Sequence, residues 1–222
     1  MMYRLFATAM AAGVLVAVLV SMVEVYTTTP LILEAEGYEV STVIIGHVHD
    51  HSAWSPENGW ERFGYTVVAN VVTTISFALF LVVGLSFGPK QADRRTGFLM
   101  AIAGFAAFTL APTMGLPPEL PGMPTADLHA RQMWWLATVL CTLGGLYCLF
   151  LTDIEPVKIL GILIVLAPHI WGAPHPLTQA SEVPATLAAH FAASSIVISA
   201  ILWGLLGYFA PLFYNYFKGK EA

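Results

Sequence analysis

The sequence predicts an all-α, polytopic integral membrane protein of about six transmembrane helices arranged as hairpins, with both termini cytoplasmic. Three observations predict it. Of 222 residues, 57% are hydrophobic and only 10% are charged, which is more apolar surface than a soluble domain of this size carries. The apolar residues fall into runs, most of them near the roughly 20 residues that cross a hydrocarbon core, separated by segments rich in Pro, Gly and charge. The basic residues also sort to one side of those runs, as short cytoplasmic loops do. Residues 1–222 therefore read as a single membrane domain set in a lipid bilayer.

The first run, 5–26, follows Arg4 and is too long for a signal-peptide core, so a retained helix is expected. Residues 27–60 form a long outer, periplasmic loop that carries Glu34, Glu36, Glu39, a histidine cluster and the turn signal Pro56 Glu57 Asn58 Gly59. The second run, 63–87, is closed by Gly88 Pro89 and the basic residues Lys90, Arg94 and Arg95. The third, 97–114, is broken near its end by Pro112. Gly115 Leu116 Pro117 Pro118 Glu119 Leu120 Pro121 Gly122 then makes a stiff connection with few backbone donors.

Arg131 Gln132 Met133 Trp134 Trp135 opens the fourth run, which ends at Leu151, and its paired tryptophans read as interface anchors. The fifth, 159–173, contains Pro168 and His169 and is short for a straight span. Residues 174–184 are an outer loop, and the sixth run covers 185–208. Leu110 Ala111 Pro112 and Leu166 Ala167 Pro168 echo one another at the ends of two runs pointing the same way. Proline-interrupted spans at corresponding places point to a transporter's binding site.

Orientation follows from the nine basic residues. Arg4, Lys90, Arg94, Arg95, Lys158, Lys218 and Lys220 share one side, and only Arg62 and Arg131 lie opposite, which puts the termini inside. All seven histidines then lie on the outer side, together with most of the acidic residues from Glu24 to Glu182. Such a face concentrates divalent cations and repels anions. The net charge of −5 argues against nucleic acid as a partner. Cys141 and Cys148 share one helix face inside an apolar run and read as small buried hydrophobes.

The chemistry concentrates at Gly46 His47 Val48 His49 Asp50 His51. Neutral imidazoles suit cobalt, nickel, copper and zinc, with a carboxylate as a harder partner. If the segment is extended, His47, His49 and His51 share one face; if it is helical, only His47 and His51 do. A solvated loop with inert histidines is the plain alternative. His169 and His190, in or at the ends of apolar segments, are functional candidates because an ionisable group there is costly. The candidate metal ligands are His47, His49, Asp50, His51, His129, His169, His175, His190 and Glu119. Arg131 is expected to pair with an acid such as Glu119 or Glu182 rather than to touch a cation.

Three classes of function meet these residues. A metal-conducting subunit would capture a divalent ion at the loop cluster and pass it to deeper histidines. A membrane-embedded zinc hydrolase would use His190 and Ser194 on one helix face. His47 Val48 His49 Asp50 His51 is similar to the His-x-His-x-Asp-His of metallo-beta-lactamase-fold hydrolases, but it lacks the spacer before the aspartate and the strand-rich domain, so an enzyme is not expected. A non-transporting metal-binding subunit whose loops dock a partner is the third class. No Gly-x-x-x-x-Gly-Lys-Ser/Thr sequence occurs, so nucleotide hydrolysis is not expected of this chain.

The His47–His51 stretch, Leu110 Ala111 Pro112 with the block from Gly115 to Gly122, Arg131 to Trp135, and Ala173 Pro174 His175 Pro176 together resemble the CbtA family of proposed cobalt transporter subunits. The resemblance runs from the first helix to the last. It implies a multi-pass protein of the bacterial inner membrane that imports cobalt(II) for cobalamin synthesis beside a small single-span CbtB-type subunit. It also implies a transported metal rather than a permanent cofactor.

Overall fold

The computed structural model describes residues 2–44, 56–87, 92–177 and 180–219. Every regular element among them is helical: α1 (Met2–Tyr26), α2 (Thr28–Ile44), α3 (Trp60–Ser86), α4 (Arg94–Phe105), a π-helical stretch (Ala106–Leu110), α5 (Ala111–Thr113), α6 (Leu128–Phe150), α7 (Glu155–Trp171) and α8 (Ala185–Gly219). Among the described residues five stretches are long and apolar enough to cross a membrane: α1, α3, the α4–α5 run over Arg94–Thr113, α6 and α8. The remaining expected segment is α7. It begins at Glu155 and spans 17 residues, about 25 Å at 1.5 Å per residue.

Part of the expected 27–60 loop is helix. Residues 28–44 form α2, for a reason the acidic residues obscured. Pro30 sits in the first turn, where its missing N–H costs nothing. Leu31, Ile32, Ala35 and Tyr38 recur at helical spacing and pack on Leu120, Met123, Val183, Leu187 and Phe191.

The chain divides into two compact units, one drawing on residues up to Pro30, Val48–Gly104 and Val197 onward, the other on Leu31–His47 and Phe105–Ile196. In the first, α1 and α3 form an antiparallel hairpin. Ala9, Ala12, Gly13, Val16, Ala17 and Val20 bury a stripe of small residues on α1, and Thr74, Ala78, Leu81, Val82 and Leu85 are buried on α3. Small residues allow the close approach on which helices inside a bilayer depend. A Cβ added to Gly13 would lie 2.7 Å from the Ile75 Cα. The Thr74 hydroxyl donates to the Gly13 carbonyl at 2.8 Å across the same crossing. The end of α8 joins this unit through Arg4, whose guanidinium donates to the Tyr214 hydroxyl at 2.8 Å.

In the second unit α6 and α7 form a hairpin joined by a short turn. Pro156 starts α7, fixing φ where no N–H is needed. Gly145 and Gly161 meet where the two helices cross, and a side chain on Gly145 would run into Val165. The π-helical stretch carries a bond from the Ala111 N–H to the Ala106 carbonyl, five residues back. That widened turn falls where the Pro112 ring would press on the carbonyl four residues before it.

Candidate functional site

In the second unit one of the described candidates, His169, packs against Trp134. Arg131 and Trp134 sit in the first turns of α6, which Asp127 starts: its Oδ1 accepts the Ala130 N–H at 2.9 Å. Trp134 is 7% exposed and donates its indole N–H to the Pro168 carbonyl at 3.1 Å. That carbonyl also accepts the Gly172 N–H at 3.1 Å and so closes the last turn of α7. Pro112 does the equivalent work at its own break, with its carbonyl accepting the N–H groups of Gly115 and Leu116 at 3.1 and 2.8 Å. Gly115 lies against the Trp134 ring and Ala173, so tightly that a Cβ there would be 2.5 Å from the indole edge. Both Leu-Ala-Pro breaks thus converge on one tryptophan.

His169, half-buried in the last turn of α7, meets that ring edge to face, with centroids 5.9 Å apart and planes at 76°. His175 is exposed in the connection after α7, His129 is exposed at the start of α6, and His190 is exposed on the first part of α8 next to Phe191. Glu119 is engaged: its carboxylate pairs with the Arg131 guanidinium at 2.6 Å, with side chains 19% and 28% exposed. The expected pairing of Arg131 with an acid therefore holds. The guanidinium neutralises the charge of that carboxylate.

Among the described residues no three His, Cys, Asp or Glu come together as a group that could hold a metal ion. His47, His49, Asp50 and His51 lie outside the described residues. The described imidazoles are separate, mostly exposed donors, and one donor at a time gives weak, exchangeable coordination.

A protein-family model for the probable cobalt transporter subunit CbtA matches residues 2–215 of the 222-residue chain. The chain belongs to the CbtA family. No curated protein and no solved structure matches it. As a member of this family of probable cobalt transporter subunits, the chain is a multi-pass membrane protein.

Sequence reasoning misplaced one residue and missed one group. Trp134 is no interface anchor: it is buried, whereas Trp60 and Trp171 are 85% and 90% exposed. The Pro168 carbonyl opposite it, which already accepts the Gly172 N–H, takes the indole N–H on its second lone pair and so satisfies the buried donor. The missed group is Ser21, Glu24 and Asn70 in the α1–α3 hairpin. Asn70 Nδ2 donates to the Ser21 hydroxyl at 2.9 Å and to the Glu24 carboxylate. Its signal was an amide in the middle of an apolar run, together with a carboxylate one turn after a serine.

Proposed function

We propose that this CbtA-family chain is the membrane-spanning subunit of a transition-metal uptake system, with cobalt(II) as its cargo and cobalamin synthesis as the use of that cargo. The observation that carries the reading is the family match over residues 2–215. The ligands proposed are His47, His49, Asp50 and His51 at the entrance, with His129, His169, His175, His190 and Glu119 beyond them. The termini face the cytoplasm of a bacterial inner membrane, and a small single-span CbtB-type subunit, itself carrying histidines, completes the system.

Physical chemistry supports the direction of transport. Inward movement of a divalent cation is favoured by about 4.6 kcal/mol per 100 mV, twice the single-charge value, so facilitated uptake without ATP is physically adequate. Imidazole and carboxylate bind nickel and copper at least as well as cobalt, so discrimination must come from geometry and supply. Single imidazoles such as His169 and His175 release their ion readily, as a path requires.

The test is cobalt accumulation in cells at limiting cobalt. Replacing His47, His49 and His51 together with alanine is expected to lower accumulation while the protein still reaches the membrane; unchanged accumulation removes the cluster from the path. Metal analysis of purified protein before and after mild chelation separates transport from zinc catalysis. Exchangeable metal supports transport, and one tightly retained zinc per chain supports an enzyme.

A further inference from the structure

We propose that Glu24, Asn70 and Ser21 form an intramembrane site for a monovalent cation, H⁺ or Na⁺, distinct from the imidazoles that would handle the transported metal. Asn70 lies about 15 Å along the axis from the first residue of α3 at 1.5 Å per residue, well inside a 27-residue span. Glu24 is in the last turn of α1, and its side chain leans back toward the helix N-terminus, deeper into the bilayer. Ser21 is fully buried and donates its hydroxyl proton to the Ala17 carbonyl at 2.8 Å. The hydrogen bond to Asn70 holds the Glu24 carboxylate against the interior of α3, and a carboxylate facing a span is costly and marks a functional position by default.

The chemistry around it selects the ligand. Among the described residues the Glu24 carboxylate accepts a hydrogen bond from Asn70 and forms no ion pair. Arg4, the other charged residue of α1, is at the opposite end with Tyr214. Tyr26 on α1 and Tyr65 on α3, the nearest ionisable side chains along the two helices, are 85% and 51% exposed; Glu61 and Arg62 lie farther out on α3. Among the described residues no ion pair therefore locks the carboxylate in its ionised form. One negative charge is neutralised by one positive charge, whereas a divalent ion would leave a net charge in hydrocarbon.

Asn70 suits exchange because its amide offers both donors and an acceptor. With Nδ2 toward Glu24 it supports the ionised carboxylate. Turned by half a rotation, Oδ1 accepts from a protonated carboxyl or joins Glu24 and Ser21 as a third oxygen around sodium, a hard cation that prefers oxygen ligands to nitrogen. In a transport subunit such a site carries the coupling ion. That role, unlike the site itself, rests on the uptake reading.

Infrared difference spectroscopy of the full chain in lipid nanodiscs, wild type against Glu24→Gln, isolates the Glu24 band without any transport measurement. The expected result is a Glu24 band that shifts when choline is replaced by Na⁺ at fixed pH, which assigns sodium, or one that interconverts between carboxylate and carboxyl with pH in sodium-free medium, which assigns the proton. The substituted protein loses that band. A Glu24 band in one state under all these conditions overturns the proposal, and so does a shift that only Co²⁺ produces. If Glu24→Gln does not reach the membrane, Glu24→Asp identifies the same band by displacing it.

Discussion

The Trp134 indole N–H and the Pro168 carbonyl, 3.1 Å apart, tie the start of α6 to the end of α7. The bond solves a local problem. Proline inside a helix disturbs the ladder behind it, and the Pro168 carbonyl, held by both Gly172 and Trp134, keeps the last turn of α7 in place. His169 takes its position from that turn and from the same ring. The histidine proposed to meet the metal is therefore oriented by a tryptophan that touches no metal.

Substitutions at Trp134 separate its bond from its bulk. Trp134→Phe keeps most of the ring and leaves Pro168 with its Gly172 donor, so the expected cost is about 1 kcal/mol. Trp134→Ala empties a buried site and is expected to cost about 3–5 kcal/mol. Thermal unfolding in one lipid and detergent mixture reads both, and a wild-type midpoint for the alanine variant would remove Trp134 from the centre of this unit.

Glu119 and Arg131 are partly buried, so their ion pair is worth more than a solvated one, though part of the gain is offset by desolvation. Arg131→Met and Glu119→Gln are each expected to destabilise the protein. Together they should cost less than their sum, with a coupling energy of about 1 kcal/mol. Strict additivity in a double-mutant cycle would show that the 2.6 Å contact contributes nothing.

Five of the six expected spans were legible in the sequence because a bilayer demands long apolar runs, and the family resemblance because its loop motifs are distinctive. The helix α2 was not legible: its apolar stripe of Leu31, Ala35 and Tyr38 needs Leu120 and Leu187, which are remote in sequence, to become visible as a stripe. Trp134 was misread because an aromatic residue at the head of a span fits an interface and a core equally well. The polar group at Glu24 was hidden for a related reason, since a carboxylate near a span's end passes for a loop residue until Asn70 is placed opposite it. Arg131 was read correctly because charge complementarity, unlike packing, can be argued from residue type alone.

The α6–α7 crossing depends on two glycines. A Cβ at Gly161 would lie 2.8 Å from the Cys148 Cβ and 2.9 Å from the Gly145 carbonyl oxygen, whereas Gly144 has open space on its side. Gly161→Leu is expected to destabilise the hairpin by about 1–3 kcal/mol through overpacking, and Gly144→Ala to be tolerated. Unfolding midpoints that do not distinguish the two variants would contradict this crossing.

Asp93 provides a pH-dependent signal outside the spans. It precedes α4, and its Oδ1 accepts the Thr96 backbone N–H at 2.8 Å. Hydrogen bonds from the Thr96 side chain and backbone, in that order of weight, hold its carboxyl below the usual carboxylate range. A carboxyl whose pKa is depressed by folding stabilises the folded state above its unfolded value, near 3.9, and that contribution is lost as pH falls through the lower folded value. Asp93→Ala removes the cap as well as the titration, so it should destabilise the start of α4 at neutral pH and flatten the loss of stability in acid. Asp93→Asn keeps a side-chain acceptor for Thr96 and should retain more stability at neutral pH while flattening the acid limb to the same degree. Unfolding measured from neutral to acidic pH on the three proteins checks both expectations. An acid limb of unchanged slope in both variants would show that Asp93 contributes nothing to it.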